Sequence, residues 1–146
     1  MSNVERLLEN KGREVWSIRP DESVFNAIKL MDEKCIGALA VIQHDILVGI
    51  ISERDYARKV ILKGRSSKDT HVEEIMTRQI LYTFPEQNIE QCMKVMTENN
   101  IRHLPVIDNS QIVGMISLGD IVKEIIADQQ FRIQRLEHYL TWEESY

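Results

Sequence analysis

The sequence predicts an α+β fold: two β-α-β-β-α repeats packed sheet to sheet with pseudo-twofold symmetry, plus a helical segment at each end. Three observations lead there. Residues 15–61 and 80–126 align without a gap at a constant offset of 65, and 14 of the 47 aligned positions are identical. The identities keep Pro20 with Pro85, Met31 with Met96, Ile36 with Ile101, Val41 with Val106, Gly49 with Gly114, Ser52 with Ser117 and Asp55 with Asp120. Within each copy, a helical apolar period gives way to two short β-rich runs and then to a second helical period. A three-stranded sheet with helices on one side cannot bury its apolar face alone, and a second copy can cover it.

Each element follows from its residues. Residues 1–14 form an N-terminal segment with an amphipathic stretch of Val4, Leu7 and Leu8. The first repeat, residues 15–63, opens on an extended piece that runs to Pro20, whose ring biases the preceding residue away from helix. Val24, Ala27, Ile28 and Met31 then recur at helical spacing, as do Ile89, Cys92, Met93 and Met96 in the second repeat. Leu39–Gln43 and Ile46–Ile51 read as strands joined at His44-Asp45. Leu104–Asp108 and Ile112–Ile116 read as strands joined at Asn109-Ser110. The closing helix begins near Ser52 or Ser117 and carries Tyr56, Val60 and Ile61, or Ile121, Ile125 and Ile126. Residues 64–79 connect the repeats through a polar Gly64–Thr70 linker and the lead-in His71–Thr77. The second repeat takes residues 80–128. In the helical tail, residues 129–146, Ile133, Leu136 and Leu140 prolong an apolar stripe from Ile126 for which the chain has little core left. A partner chain is the expected cover.

Composition narrows the function. A chain of 146 residues buries roughly two-thirds of its unfolded surface and needs no disulfide or metal to stay folded. Eighteen basic and 23 acidic residues give a net charge of −5, which disfavours nucleic acid and anionic lipid as partners. Cys35 and Cys92 are too few for a disulfide scaffold or a multi-cysteine zinc site and read as core or spacer residues. No apolar run approaches the ~18 residues of a membrane span, and the first residues lack an apolar signal core. The expectation is a cytoplasmic protein without a membrane partner. There is no phosphate-binding glycine loop, no nucleophile elbow and no metal-spaced His/Cys cluster, so no catalytic residue and no metal ligand is expected.

What remains is the repeated turn from strand to helix, Gly49-Ile50-Ile51-Ser52-Glu53-Arg54-Asp55 and Gly114-Met115-Ile116-Ser117-Leu118-Gly119-Asp120. A helix N-terminus offers unpaired N–H groups and partial positive charge to a phosphate. A carboxylate three residues on accepts two hydroxyl hydrogen bonds, which suits a cis-diol. The same spacing is close to a capping box, in which both side chains only satisfy the helix end, and spacing alone favours that reading. Residues 54–68 hold Arg54, Arg58, Lys59, Lys63, Arg65 and Lys68 against Asp55 alone, whereas residues 119–133 hold Lys123 and Arg132 against three acids. Such a concentration of cations gathers anions, unless it is simply a solvated basic face. Arg54 and Arg58 lie one turn apart on one helix face.

These two segments resemble the Gly-hydrophobic-x-Ser/Thr-x-x-Asp signature of cystathionine β-synthase (CBS) domains. Ile101-Arg102-His103-Leu104-Pro105-Val106 looks like the start of the family's second strand. The resemblance covers about 94 residues of repeat and the Glu74-Ile75-Met76-Thr77 lead-in. It implies a Bateman module, typically a disc-shaped homodimer that binds adenine nucleotides in clefts between repeats and regulates a partner protein. By that resemblance Asp55 and Asp120 hold ribose hydroxyls, and Ser52 and Ser117 contact phosphate. Adenine is bracketed at Ile18, Gly37, Ala38 and Leu39 in one cleft, and at Thr83, Ile101, Arg102, His103, Leu104 and Pro105 in the other. The first repeat has Gly37-Ala38-Leu39-Ala40 where the second has Arg102-His103-Leu104-Pro105, so the second cleft is the better equipped. Leu118 and Gly119 replace Glu53 and Arg54 there, so Arg54 or Arg58 is expected to cross over to the phosphate. His103 reads either as a packed side chain or as a nucleotide contact. The implied ligand is AMP first, with ADP, ATP, NAD or S-adenosylmethionine in the same class, and no cofactor is required. The alternative is a dimeric interaction scaffold with degenerate, ligand-free clefts.

Overall fold

The computed structural model describes residues 2–144. The elements run α1 (Val4–Lys11), β1 (Ser17–Ile18), α2 (Val24–Lys34), β2 (Ala38–Gln43), β3 (Ile46–Ser52), α3 (Glu53–Lys59), α4 (Val72–Ile75), α5 (Ile89–Glu98), β4 (His103–Asp108), β5 (Gln111–Ser117) and α6 (Leu118–Glu144). In the first repeat β1 pairs parallel with β2, and β2 antiparallel with β3. The second repeat keeps the same register: His103 faces Ser117 as Ala38 faces Ser52, and the irregularity after Val41 recurs after Val106.

The second repeat departs from the prediction in its first strand, which is reduced to a single parallel bridge between Thr83 and Val106. The reason is one residue. In the first repeat Ala40 N–H donates to the Trp16 carbonyl at 3.1 Å. Its equivalent is Pro105, which has no N–H to donate, so that rung of the ladder cannot form.

Local chemistry sets the other boundaries. Both hairpins turn on two residues at positive φ, His44 (53°) with Asp45 (64°) and Asn109 (49°) with Ser110 (64°), the geometry that matches strand twist. Ser23 and Asn88 cap their helices by accepting from Asn26 N–H at 3.1 Å and Gln91 N–H at 2.7 Å. The predicted continuation of α3 through Ile61 is corrected: Ile61–Lys63 form a 3-10 turn closed by Gly64 at φ 65°.

Burial is divided between two cores. The first gathers Val24, Ala27 and Met31 of α2 with Leu39, Val41, Ile51, Val72 and Ile75. The second gathers Val4, Leu7 and Leu8 of α1 with Ile89, Cys92, Met96, Leu104, Val106, Ile116 and Ile121. Each core is therefore completed by a helix that precedes the other repeat in the chain. The docking is equivalent: Val4 and Glu5 N–H donate to the carbonyls of Gln87 and Pro85 at 2.8 and 2.9 Å, and Val72 and Glu73 N–H to those of Glu22 and Pro20 at 2.8 and 3.0 Å. Ser2, buried, donates from Oγ to Glu124 Oε1 at 3.1 Å and fastens α1 to α6. The N-terminal segment is thus part of the second repeat's core rather than an appendage. On the opposite sheet faces Ala38, Ala40 and Pro105 are also buried but belong to neither core.

The motif glycines serve this exchange. A Cβ on Gly114 would stand 2.7 Å from Leu8 Cδ2, and one on Gly49 would stand 2.6 Å from Met76 Sδ. Finally, α6 runs unbroken through the expected repeat boundary at residue 128, and residues 129–141 are all exposed. Met1, Ser145 and Tyr146, assigned to the terminal segments, lie outside the described residues.

Candidate functional site

Both strand-to-helix turns form the predicted caps. Asp55 N–H donates to Ser52 Oγ at 3.2 Å while Ser52 N–H donates to Asp55 Oδ2 at 2.9 Å. Asp120 N–H donates to Ser117 Oγ at 3.0 Å while Ser117 N–H donates to Asp120 Oδ2 at 2.8 Å. The capping reading is therefore structurally real, and ligand chemistry at these residues has to act through the atoms that capping leaves over.

The two carboxylates differ in this respect. Asp55 Oδ1 faces Lys59 Nζ at 3.0 Å and accepts weakly from Thr77 Oγ1 at 3.5 Å, so both its oxygens are engaged. Asp120 Oδ2 accepts from Lys11 Nζ at 2.5 Å, and Lys11 also donates to the Met115 carbonyl. The Lys11 and Ser117 N–H bonds both fall on Oδ2, and among the described residues no hydrogen bond or ion pair falls on Oδ1. Each carboxylate is thus reached from the exchanged segment that completes its core: Thr77 follows α4, and Lys11 ends α1. Burial pushes the Asp120 carboxyl up, but Lys11 and the Ser117 N–H outweigh it and hold the group below the usual carboxylate range.

The strand starts of the two repeats meet. A Cβ on Gly37 would lie 3.2 Å from His103 Cε1 and 3.4 Å from Glu53 Oε1, so the imidazole occupies the space that Gly37 leaves open. The Glu53 N–H donates to the Gly37 carbonyl at 3.1 Å, and the Leu118 N–H to the Arg102 carbonyl at 2.9 Å, tying each strand start to its motif helix. Burial first, then the charges of Lys11 and Arg102, push the His103 imidazole below its ordinary value against the pull of Asp120. The Arg54 guanidinium does cross to the second repeat, where it donates to the Asn100 carbonyl just before Ile101. Arg58 stays exposed on the outer side of its helix.

Other predicted positions offer main chain rather than side chain. Thr83 is buried, and its hydroxyl is hydrogen-bonded to Cys92 Sγ at 3.2 Å. Leu39 and Leu104 point into the cores, with Ile18 and Ile101 packed against them. Ala38 and Pro105 are buried on the opposite faces. Ile18 also borders an open groove of about 670 Å³ between β1 and α2, and that groove contains none of the motif residues. Lys11 and Thr77 reach the two motif carboxylates, a role that sequence reasoning gave to neither. A signal exists, because Val4-Glu5-Arg6-Leu7-Leu8 parallels Val72-Glu73-Glu74-Ile75-Met76, but at an offset of 68 instead of 65.

With this geometry in place, comparison with known proteins is decisive at the family level. The family model described as the CBS domain matches residues 11–62 and again 72–127. The chain belongs to the CBS-domain family. It is similar to the CBS domain-containing protein CBSX3, mitochondrial, of Arabidopsis thaliana, at 37% identity over 95% of this chain and 72% of that protein. Among solved structures it matches a putative signal-transduction protein with CBS domains from Burkholderia ambifaria MC40-6, with 50% identity, TM-score 0.85, and coverage of 88% and 96% of the two chains. It also matches the CBS domain pair of protein MJ0100 in complex with 5′-methylthioadenosine and S-adenosyl-L-methionine, with 25% identity, TM-score 0.78, and coverage of 88% and 98%. As a CBS pair, the chain carries two matched repeats whose cores are closed by exchanged helices, and the family match ends inside α6.

Proposed function

We propose that this CBS pair is a non-catalytic regulatory module that takes an adenine nucleotide, AMP first, at the second motif and passes its occupancy to a partner protein as a homodimer. The observation that carries the reading is Asp120. Its carboxylate is held ionised beside Lys11 while Oδ1 stays available for a diol; His103 lies against Gly37 of the first repeat, and Arg54 reaches the Asn100 carbonyl ahead of β4. The 5′-methylthioadenosine and S-adenosyl-L-methionine in the MJ0100 complex support the ligand class. Asp55, with both oxygens engaged, makes the first motif the weaker site. NAD, ADP and ATP belong to the same proposal as competing ligands, and so does the cytoplasmic placement, although the plant relative is mitochondrial by name.

A thermal-shift panel of AMP, ADP, ATP, NAD, NADH and S-adenosylmethionine tests it. A binding nucleotide at a hundredfold excess over its Kd stabilises the fold by about 2.7 kcal/mol. Asp120→Ala is expected to remove most of that shift, and Arg54→Ala to weaken AMP more than adenosine in calorimetric titration. Silence across the whole panel would leave the scaffold reading in possession.

A further inference from the structure

We infer that α6, along its seam from Val122 to Leu140, pairs with the same segment of a second copy as a parallel, in-register two-stranded coiled coil. The inference rests on the dimer reading above and adds to it the segment that does the pairing and its direction.

The helix extends past everything that could cover it. Over 27 residues it is about 40 Å long, the family match stops at residue 127, and residues 129–141 are exposed. Helices in proteins draw most of their stability from packing an apolar face, and this one leaves such a face open. The apolar residues define its shape. Val122, Ile126, Ile133, Leu136 and Leu140, exposed by 42 to 60%, recur at alternating steps of four and three once Gln129 is counted. That is a heptad seam with Ile126, Ile133 and Leu140 at a, and with Val122, Gln129 and Leu136 at d. A seam of period 3.5 suits another helix of the same period rather than a sheet or a flat surface.

Two polar positions select the partner and its direction. Gln129 interrupts the apolar seam at one d layer. In a parallel, in-register pair it meets its own twin, to which a side-chain amide can both donate and accept. Flanking the seam, Arg132 falls at g and Glu137 at the following e, the positions that face each other across a parallel pair. Among the described residues of one chain Arg132 pairs with Asp128 at 3.4 Å, and its side chain is 61% exposed. The opposite face is not part of the seam: Phe131 lies there beneath Arg135, at 5.7 Å from ring centroid to guanidinium.

Disulfide trapping in the full chain tests the pairing. In a Cys35→Ser background, which removes the exposed native thiol, Leu136→Cys places one thiol on the seam and His138→Cys one on the far face. With oxidised glutathione, the Leu136→Cys chain is expected to become a covalent dimer at least tenfold faster than the His138→Cys chain. Equal rates, or no dimer from either, overturn the inference. Sedimentation of Ile133→Asp/Leu136→Asp is the second readout, with an expected rise of at least tenfold in the dimer Kd. A wild-type dimer without seam-selective trapping overturns the tail pairing and leaves the dimer reading intact, whereas a wild-type monomer overturns both.

Discussion

Lys11 reaches the Asp120 carboxylate across 109 residues of sequence and, with its bond to the Met115 carbonyl, ties the end of the N-terminal helix to the second motif. The pair is partly buried, with the lysine side chain 36% and the aspartate 20% exposed, so solvent screens part of its attraction. Lys11→Met is expected to cost about 1 kcal/mol in urea unfolding at pH 7, and unchanged stability would mean that the contact is fully screened. His103 supplies a pH dependence of its own. Its folded pKa lies below the ordinary 6.5, so the folded protein resists a proton that the unfolded chain accepts. Its contribution is intact above about pH 6.5 and declines as pH falls from there toward the folded value. Asp120 acts lower: its depressed pKa gives stability present above the ordinary 3.8 and lost as pH falls through the folded value. Urea melts at a series of pH values should therefore show a loss beginning below about pH 6.5 that His103→Gln flattens. An identical profile in the variant would assign that loss elsewhere.

At the scale of elements, the exchanged helices explain the glycine of the repeated motif. Gly114 lies under Leu8, and a Cβ added there would stand 2.7 Å from the leucine's Cδ2, which leaves no room for a methyl group. Gly114→Ala is expected to destabilise by about 1–3 kcal/mol through overpacking, and Leu8→Ala by about 2–5 kcal/mol through the cavity it leaves. Because the two changes act on the same volume, the double variant should lose less than the sum. Strict additivity in chemical denaturation would show that α1 does not press on β5. The strands, hairpin turns and motif caps are legible because each is written within a few residues: short β-rich runs, the turn pairs His44-Asp45 and Asn109-Ser110, and a serine three residues before an aspartate at the motif helices. The first strand of the second repeat is not legible, for an equally local reason that lies on its neighbour. Pro105 removes a donor from the ladder, and a strand cannot be judged without the strand it pairs with.

For the whole molecule, apolar surface remains where one copy of the chain has nothing to place. Phe25, Ile61 and Leu62 are exposed by 42, 56 and 75%, and Val122 and Ile126 at the start of the α6 seam by 42 and 49%. Large apolar side chains left open in this number are the raw material of an interaction face. Light scattering at micromolar concentration is expected to give about twice the chain mass of 17.1 kDa, and a value near the single-chain mass would remove the dimer. The sequence by itself determined the repeat, its order of elements, the Ser-x-x-Asp caps and the family, because these depend on short-range pattern repeated in register. Tertiary structure alone decided that α1 closes the second core and α4 the first. It also decided that Lys11 and not a residue of the repeat meets Asp120, and that the first motif's carboxylate is fully engaged while the second keeps an oxygen. Those outcomes turn on which helix docks beneath which sheet. That choice is made by steric fit at Gly49 and Gly114 and by backbone hydrogen bonds between distant segments, and neither leaves a mark on local periodicity.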